Sequence, residues 1–249
     1  MPAHVASDGL RLHVEIDGDR GAPTVVLVHG LAGSVQVGWR ATGVIDRLVS
    51  AGLRTVAFDL RGHGRSDAPA SEDRYGDRRM AEDVHEILEQ FGGRQPVLVG
   101  YSMGAALVLL ALEAGTTARA AVIGAAPRAV LAWTDQDEAM RSAALNALRG
   151  EVEADDAATG AWLSFLDAMG MSRDALAAVL CRHRPVVEHW DRITTPCVFV
   201  AGASDTMAAV PSDVATRLAG SRAITVPGDH ITAAASPEFT DIVVGLTTD

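Results

Sequence analysis

Ser102, Asp205 and His230 are the side chains whose types and order could do chemistry together. A serine hydroxyl is a poor nucleophile until a base takes its proton, and an imidazole is a good base when a carboxylate fixes its tautomer. Ser102 lies in Gly100-Tyr101-Ser102-Met103-Gly104, after the β-branched run from Val97 and before an apolar stretch with helical character up to Ala114. Gly-x-Ser-x-Gly alone is a weak signal in a chain with 24 glycines, and its plain reading is a strand-to-helix turn with a capping serine. The strand before it and the helix after it make it a nucleophile elbow, where small flanking residues leave room for a strained, exposed serine. The amide of Met103, at the amino end of that helix, would then face a developing oxyanion.

The elbow requires an acid and a histidine later in the chain, in that order. "VAGASDTMAAVP" supplies Asp205 and "TVPGDHITAAASPEF" supplies His230, each just past an apolar strand-like run. Taken singly, Asp205 reads as a turn or cap residue and His230 as an incidental loop histidine; in this order they read as orienter and base. Asp229 adjoins His230 too closely to reach round to its ring. A second oxyanion donor is expected from "VLVHGLAGS", where Gly30 permits the turn and the Leu31 amide would point toward the elbow. His29 is assigned a structural role in holding that loop.

Around these residues, strand-like runs cover Thr24 to His29, Arg54 to Asp59, Pro96 to Tyr101, Ala118 to Ala126, Pro196 to Gly202 and Arg222 to Gly228. Their continuous apolar character predicts strands buried on both faces. Helical patterns fall around Val44 to Ala51, Arg79 to Phe91, Met103 to Ala114, Asp213 to Ala219 and Pro237 to Leu246. Alternation of this kind predicts an α/β fold with a mostly parallel, doubly wound sheet and reactive residues at the carboxyl ends of its strands. Alternating residues from Leu10 to Ile16, followed by Asp17-Gly18-Asp19, predict an opening hairpin. From Pro127 to Ile193 the rhythm breaks into the helical stretches "TDQDEAMRSAALNALRG", "EADDAATGAWLSFLDAMG" and "SRDALAAVLCRHR". The expected organisation is therefore a core over 1–127 and 193–249, with a small helical cap over 128–192 inserted after the sixth strand. Trp133, Met140, Trp162, Phe165, Met169 and Met171 could line an apolar acyl pocket under this cap, or simply form its own packing face.

Composition excludes several functions. The net charge of -11 opposes binding to nucleic acid or to an anionic membrane. All 21 basic residues are arginine, so neither a Schiff-base lysine nor a Walker-A lysine is available. Cys181 and Cys197 lack metal-ligand spacing, and Cys197 reads as a buried thiol. No metal or cofactor is expected. No targeting or membrane-spanning pattern is visible, so a cytoplasmic location is the expectation.

"VHGLAGS", "FDLRGHGRSDAP", "GYSMGAAL", "GASD" and "PGDHITAAASPEF" together resemble the α/β-hydrolase superfamily, of its esterase, lactonase and haloperoxidase-like type. The resemblance covers all but the inserted helices. It implies Ser102 as nucleophile, Asp205 as acid, His230 as base, and Leu31 and Met103 as amide donors, acting on a small acyl substrate and water. It gives Asp59, His63 and Asp67 architectural roles. Two departures stand out: Ala105 replaces a second glycine after the elbow, and the insertion is shorter than many lids of the superfamily. Serine at the elbow disfavours the epoxide hydrolases and haloalkane dehalogenases of the superfamily, which attack through a carboxylate. Carbon–carbon bond hydrolysis, perhydrolysis, acyl transfer to another nucleophile and a non-enzymatic ligand receptor of the same fold are the alternatives to ester or lactone cleavage.

Overall fold

The computed structural model describes residues 3–151 and 157–248. Its sheet contains β1 (Ala3–Val5), β2 (Arg11–Asp17), β3 (Thr24–Val28), β4 (Arg54–Phe58), β5 (Val97–Tyr101), β6 (Ala120–Gly124), β7 (Cys197–Gly202) and β8 (Arg222–Val226), in the order β1-β2-β4-β3-β5-β6-β7-β8. From β4 to β8 all neighbours are parallel, while β1 and β2 are antiparallel to their partners.

Successive strand residues face opposite sides, and β3 divides accordingly. Val26 and Val28 pack with α2 (Asp77–Phe91) and α3 (Met103–Glu113) on one face; Val25 and Leu27 pack with α1 (Val44–Ser50) and α8 (Pro237–Thr248) on the other. Because β3, β5 and β6 are buried along their whole length, their apolar runs are continuous rather than alternating. The short α7 (Pro211–Ala215) follows β7 and adds Val214 to the first face.

Between β6 and β7 lies the helical insertion of α4 (Asp135–Arg149), α5 (Ala157–Ala168) and α6 (Arg173–Cys181). Thr134 starts α4 with a reciprocal capping box to Asp137, and the Ser172 hydroxyl accepts from the Ala175 amide to start α6, as side-chain oxygens do for otherwise unpaired helix amides. The expected start of the middle helix at Glu153 to Asp156 lies outside the described residues.

Two expectations need correction. The antiparallel pair at the amino end joins β1 to β2 across a turn at Ala6 to Leu10, whereas Asp17-Gly18-Asp19 does not close a hairpin. The next strand, β3, is flanked on both sides by parallel partners, which leaves β2 to pair with β4 instead. The run at Arg222 to Gly228 is not buried on both faces: β8 is an edge strand, exposed at Arg222, Ala223 and Thr225. Among the described residues, no helix is long and apolar enough to cross a membrane.

Candidate active site

Four parallel strands deliver the candidate residues to one sheet edge. The β3, β5, β7 and β8 carboxyl ends lead into Leu31, Ser102, Asp205 and His230 respectively. Ser102 has φ +55° and ψ -120°, a region that residues with a Cβ enter only when their surroundings enforce it. A Cβ on Gly100 would strike the Gly104 carbonyl, and one on Gly104 would strike the carbonyls of Val28 and His29. Both glycines are therefore required by close backbone approach. A Cβ on Gly30 would stand 3.0 Å from that of Ser102, so the loop after β3 lies directly against the serine.

The imidazole of His230 bridges the other two groups. Its Nε2 is 2.9 Å from Ser102 Oγ and its Nδ1 is 2.9 Å from Asp205 Oδ2. The Asp205 side chain is fully buried, and its Oδ1 accepts the amides of Met207 at 2.9 Å and Ala208 at 3.0 Å. These bonds fix the carboxylate's orientation while Oδ2 serves the ring. Asp229 is occupied elsewhere: its Oδ1 accepts the amides of Ile231 and Thr232 and the Thr232 hydroxyl, which holds its carboxyl below the usual range.

Neither the Leu31 nor the Met103 amide has an acceptor among the described residues. Met103 is the first residue of α3, where helix amides lack an intrahelical partner. His29 holds the opposite loop: Nδ1 donates to the Gly30 carbonyl at 2.8 Å, and Nε2 accepts the Leu60 amide at 3.0 Å. Burial pushes its pKa down to about 4, so the ring is neutral and suited to that double role. His63, whose ring centroid is 5.2 Å away, is likewise depressed to about 3, chiefly by burial. Asp59 accepts the amides of Val35 and Arg65, Asp67 accepts that of Arg11, and His63 Nδ1 donates to the Arg61 carbonyl at 3.0 Å; all three residues from the "DLRGHGRSD" loop tie backbone together.

Trp162 and Met171 pack, half-buried, against the insertion's own apolar cluster, which also receives Leu31 and Ala32 from the loop after β3. Met140, Phe165 and Met169 are exposed, at 56%, 39% and 47%. Trp133 lines a cleft whose lining includes none of the triad residues. Its indole nitrogen donates to Glu138 at 3.2 Å, and its ring packs beside Arg141 and Arg184.

Sequence reasoning passed over two supports. The Tyr101 hydroxyl donates to the His230 carbonyl at 3.0 Å, anchoring the histidine loop. Buried Arg61 pairs with buried Asp83 at 2.6 Å and with Asp8 at 2.8 Å, stiffening the loop after β4. Tyr101's place inside the elbow marks it as near the site, but nothing local marks its partner or the Arg61 pairing. Both cysteines are free, and burial pushes Cys197 up to about 12. Among the described residues, no group of three or more His, Cys, Asp or Glu side chains could hold a metal ion.

Comparison with known proteins yields the same architecture. An esterase from Exiguobacterium antarcticum superposes with a TM-score of 0.79 at 22% identity, over 99% of each chain. A bromoperoxidase from Bacillus anthracis gives 0.76 at 21% identity, over 100% of each. In sequence, the chain is 35% identical over 106 residues to epoxide hydrolase 4 from Mus musculus, a match covering 43% of this chain and 28% of that protein. The model of the family described as alpha/beta hydrolase fold matches residues 23–166. That match spans more than half of the chain, which thus belongs to the alpha/beta hydrolase fold family.

Proposed function

We propose that the chain is a serine hydrolase that cleaves a small carboxylic ester or lactone through an acyl-enzyme on Ser102. The observation that carries the reading is the His230 bridge, with Ser102 Oγ and Asp205 Oδ2 each 2.9 Å from one of its ring nitrogens. His230 takes the serine proton as Oγ attacks the carbonyl carbon; Asp205 holds the tautomer and stabilises the cation formed. The carbonyl oxygen, now negative, is received by the amides of Leu31 and Met103. The tetrahedral adduct collapses as His230 protonates the departing alkoxide, giving an alcohol, or the free hydroxyl end of an opened lactone. Water, deprotonated by the same ring, then attacks the acyl-enzyme and releases the acid.

The insertion over 128–192 acts as a cap in this reading. Trp162 and Leu31 form the inner wall for the acyl group, and Met140, Phe165 and Met169 its outer rim. The similarity to an epoxide hydrolase raises epoxide opening as a second chemistry. An epoxide opened through an enzyme carboxylate would need an acid at position 102, where this chain has serine. The test is hydrolysis of p-nitrophenyl esters of graded acyl length and of small lactones. The wild type should turn over at least the short members, and Ser102→Ala should lower kcat by about a thousandfold or more with the fold intact. Equal turnover by both proteins would refute the assignment.

A further inference from the structure

We propose that a second cleft, set beneath the insertion's two connections, binds an organic anion with a flat apolar body. It is a cavity of about 880 Å³ that includes none of the triad residues. One wall comes from the two connecting segments: Leu131 and Trp133 leading into α4, and Arg182, Arg184 and Val186 leaving α6. The facing wall comes from the start of α2 and from Leu110 of α3.

Four arginines, Arg78, Arg79, Arg182 and Arg184, line it in a chain whose net charge is -11, and Arg79 is already paired with Glu82, Asp83 and Glu86. Arg78 is anchored by buried Glu113 at 2.5 Å, and that carboxylate also accepts the amides of Glu188 and His189. Arg184 packs its guanidinium 5.9 Å from the Trp133 ring centroid. Neither Arg182 nor Arg184 has an ion-pair partner among the described residues. The nearby acid Asp77 is taken on both oxygens, by His183 Nδ1 at 2.6 Å and by the Arg184 amide at 2.5 Å. Glu188, 3.9 Å from Arg78, is exposed.

Guanidinium forks suit carboxylate or phosphate oxygens, and cation–π contact with Trp133 pre-orients one of them. Half-buried Leu131 and Val186 offer the apolar surface that would take the body of the ligand. An occupant would bind both connections of the insertion to the core helices at once, giving it a route to the insertion that does not pass through Ser102.

The experiment is calorimetric titration of the full chain with 2-naphthoate, 2-naphthyl phosphate and neutral 2-naphthylmethanol. At least one anion should bind saturably and about tenfold or more tighter than the alcohol, and whichever anion is preferred identifies the head group. Arg182→Gln/Arg184→Gln should weaken that anion by about tenfold, and Arg182→Gln alone should act in the same direction. Both arginines are exposed, so melting curves should match wild type. Ser102→Ala should bind as wild type does, which separates this cleft from the triad and keeps the result independent of the proposed hydrolysis. Absence of saturable binding, equal affinity for the alcohol, undiminished affinity in the double variant, or loss of binding in Ser102→Ala would overturn the proposal.

Discussion

The carbonyl and amide of one planar trans peptide point in opposite directions, so a bond to the first fixes the aim of the second. His29 makes that bond to Gly30, and the amide in the same plane is the one from Leu31. His29→Gln should therefore lower kcat for ester hydrolysis by about tenfold or more through a misaimed oxyanion donor, with KM little changed; steady-state kinetics checks this, and an unaltered kcat would return His29 to a purely structural role. The candidate residues were legible in the sequence because each follows a strand-like run closely and the elbow demands their order. The support from Tyr101 to the His230 carbonyl was not, since a hydroxyl's partner more than a hundred residues away depends on rotamers and loop paths. The surroundings of Trp133 were not legible either, since the arginines beside its ring, Arg141 and Arg184, come from elsewhere in the insertion.

Among the elements, α6 does two jobs. Ala175, Ala178 and Val179 pack into the main core, while Leu176, Ala177 and Leu180 pack into the insertion's cluster. The insertion is thereby fastened to the sheet's helical layer by one shared helix. Truncation of a fully buried leucine leaves a cavity, so Leu176→Ala should destabilise by about 2–4 kcal/mol and speed proteolysis within α4 to α6 more than elsewhere; mass spectrometry of timed digests reads that pattern, and uniform cleavage would contradict it. Gly104→Ala presses a methyl group onto the carbonyls of Val28 and His29. It should cost roughly 3 kcal/mol or more in denaturant titrations, a loss absent from Gly21→Ala if the cause is contact, since nothing crowds a Cβ at Gly21 and its φ is not positive. The strand and helix alternation was readable because buried strands and amphipathic helices differ in period. Pairing order was not, because β2 skips its sequence neighbour for reasons of sheet assembly.

For the molecule as a whole, the buried pair His29 and His63 couples stability to acidity. Each accepts a proton near pH 6.5 when unfolded, but in the fold only near pH 4 and pH 3. Between those values the unfolded chain binds more protons, so stability is fully present above about pH 6.5 and is lost as the pH falls toward the folded values. Unfolding free energies from denaturant titrations should drop between about pH 7.5 and pH 5, by about 2 kcal/mol per histidine. His63→Asn keeps a donor for the Arg61 carbonyl and should flatten part of that slope; an unchanged slope would remove His63 from the explanation. The proposed hydrolysis depends on one relay at the sheet edge, and the most direct measurement is mass spectrometry of the intact and digested protein after reaction with a fluorophosphonate. A single adduct on the peptide containing Ser102, formed at least about a hundredfold more slowly in His230→Gln, is the predicted result; an adduct on another residue, or equal rates in the two proteins, would contradict it.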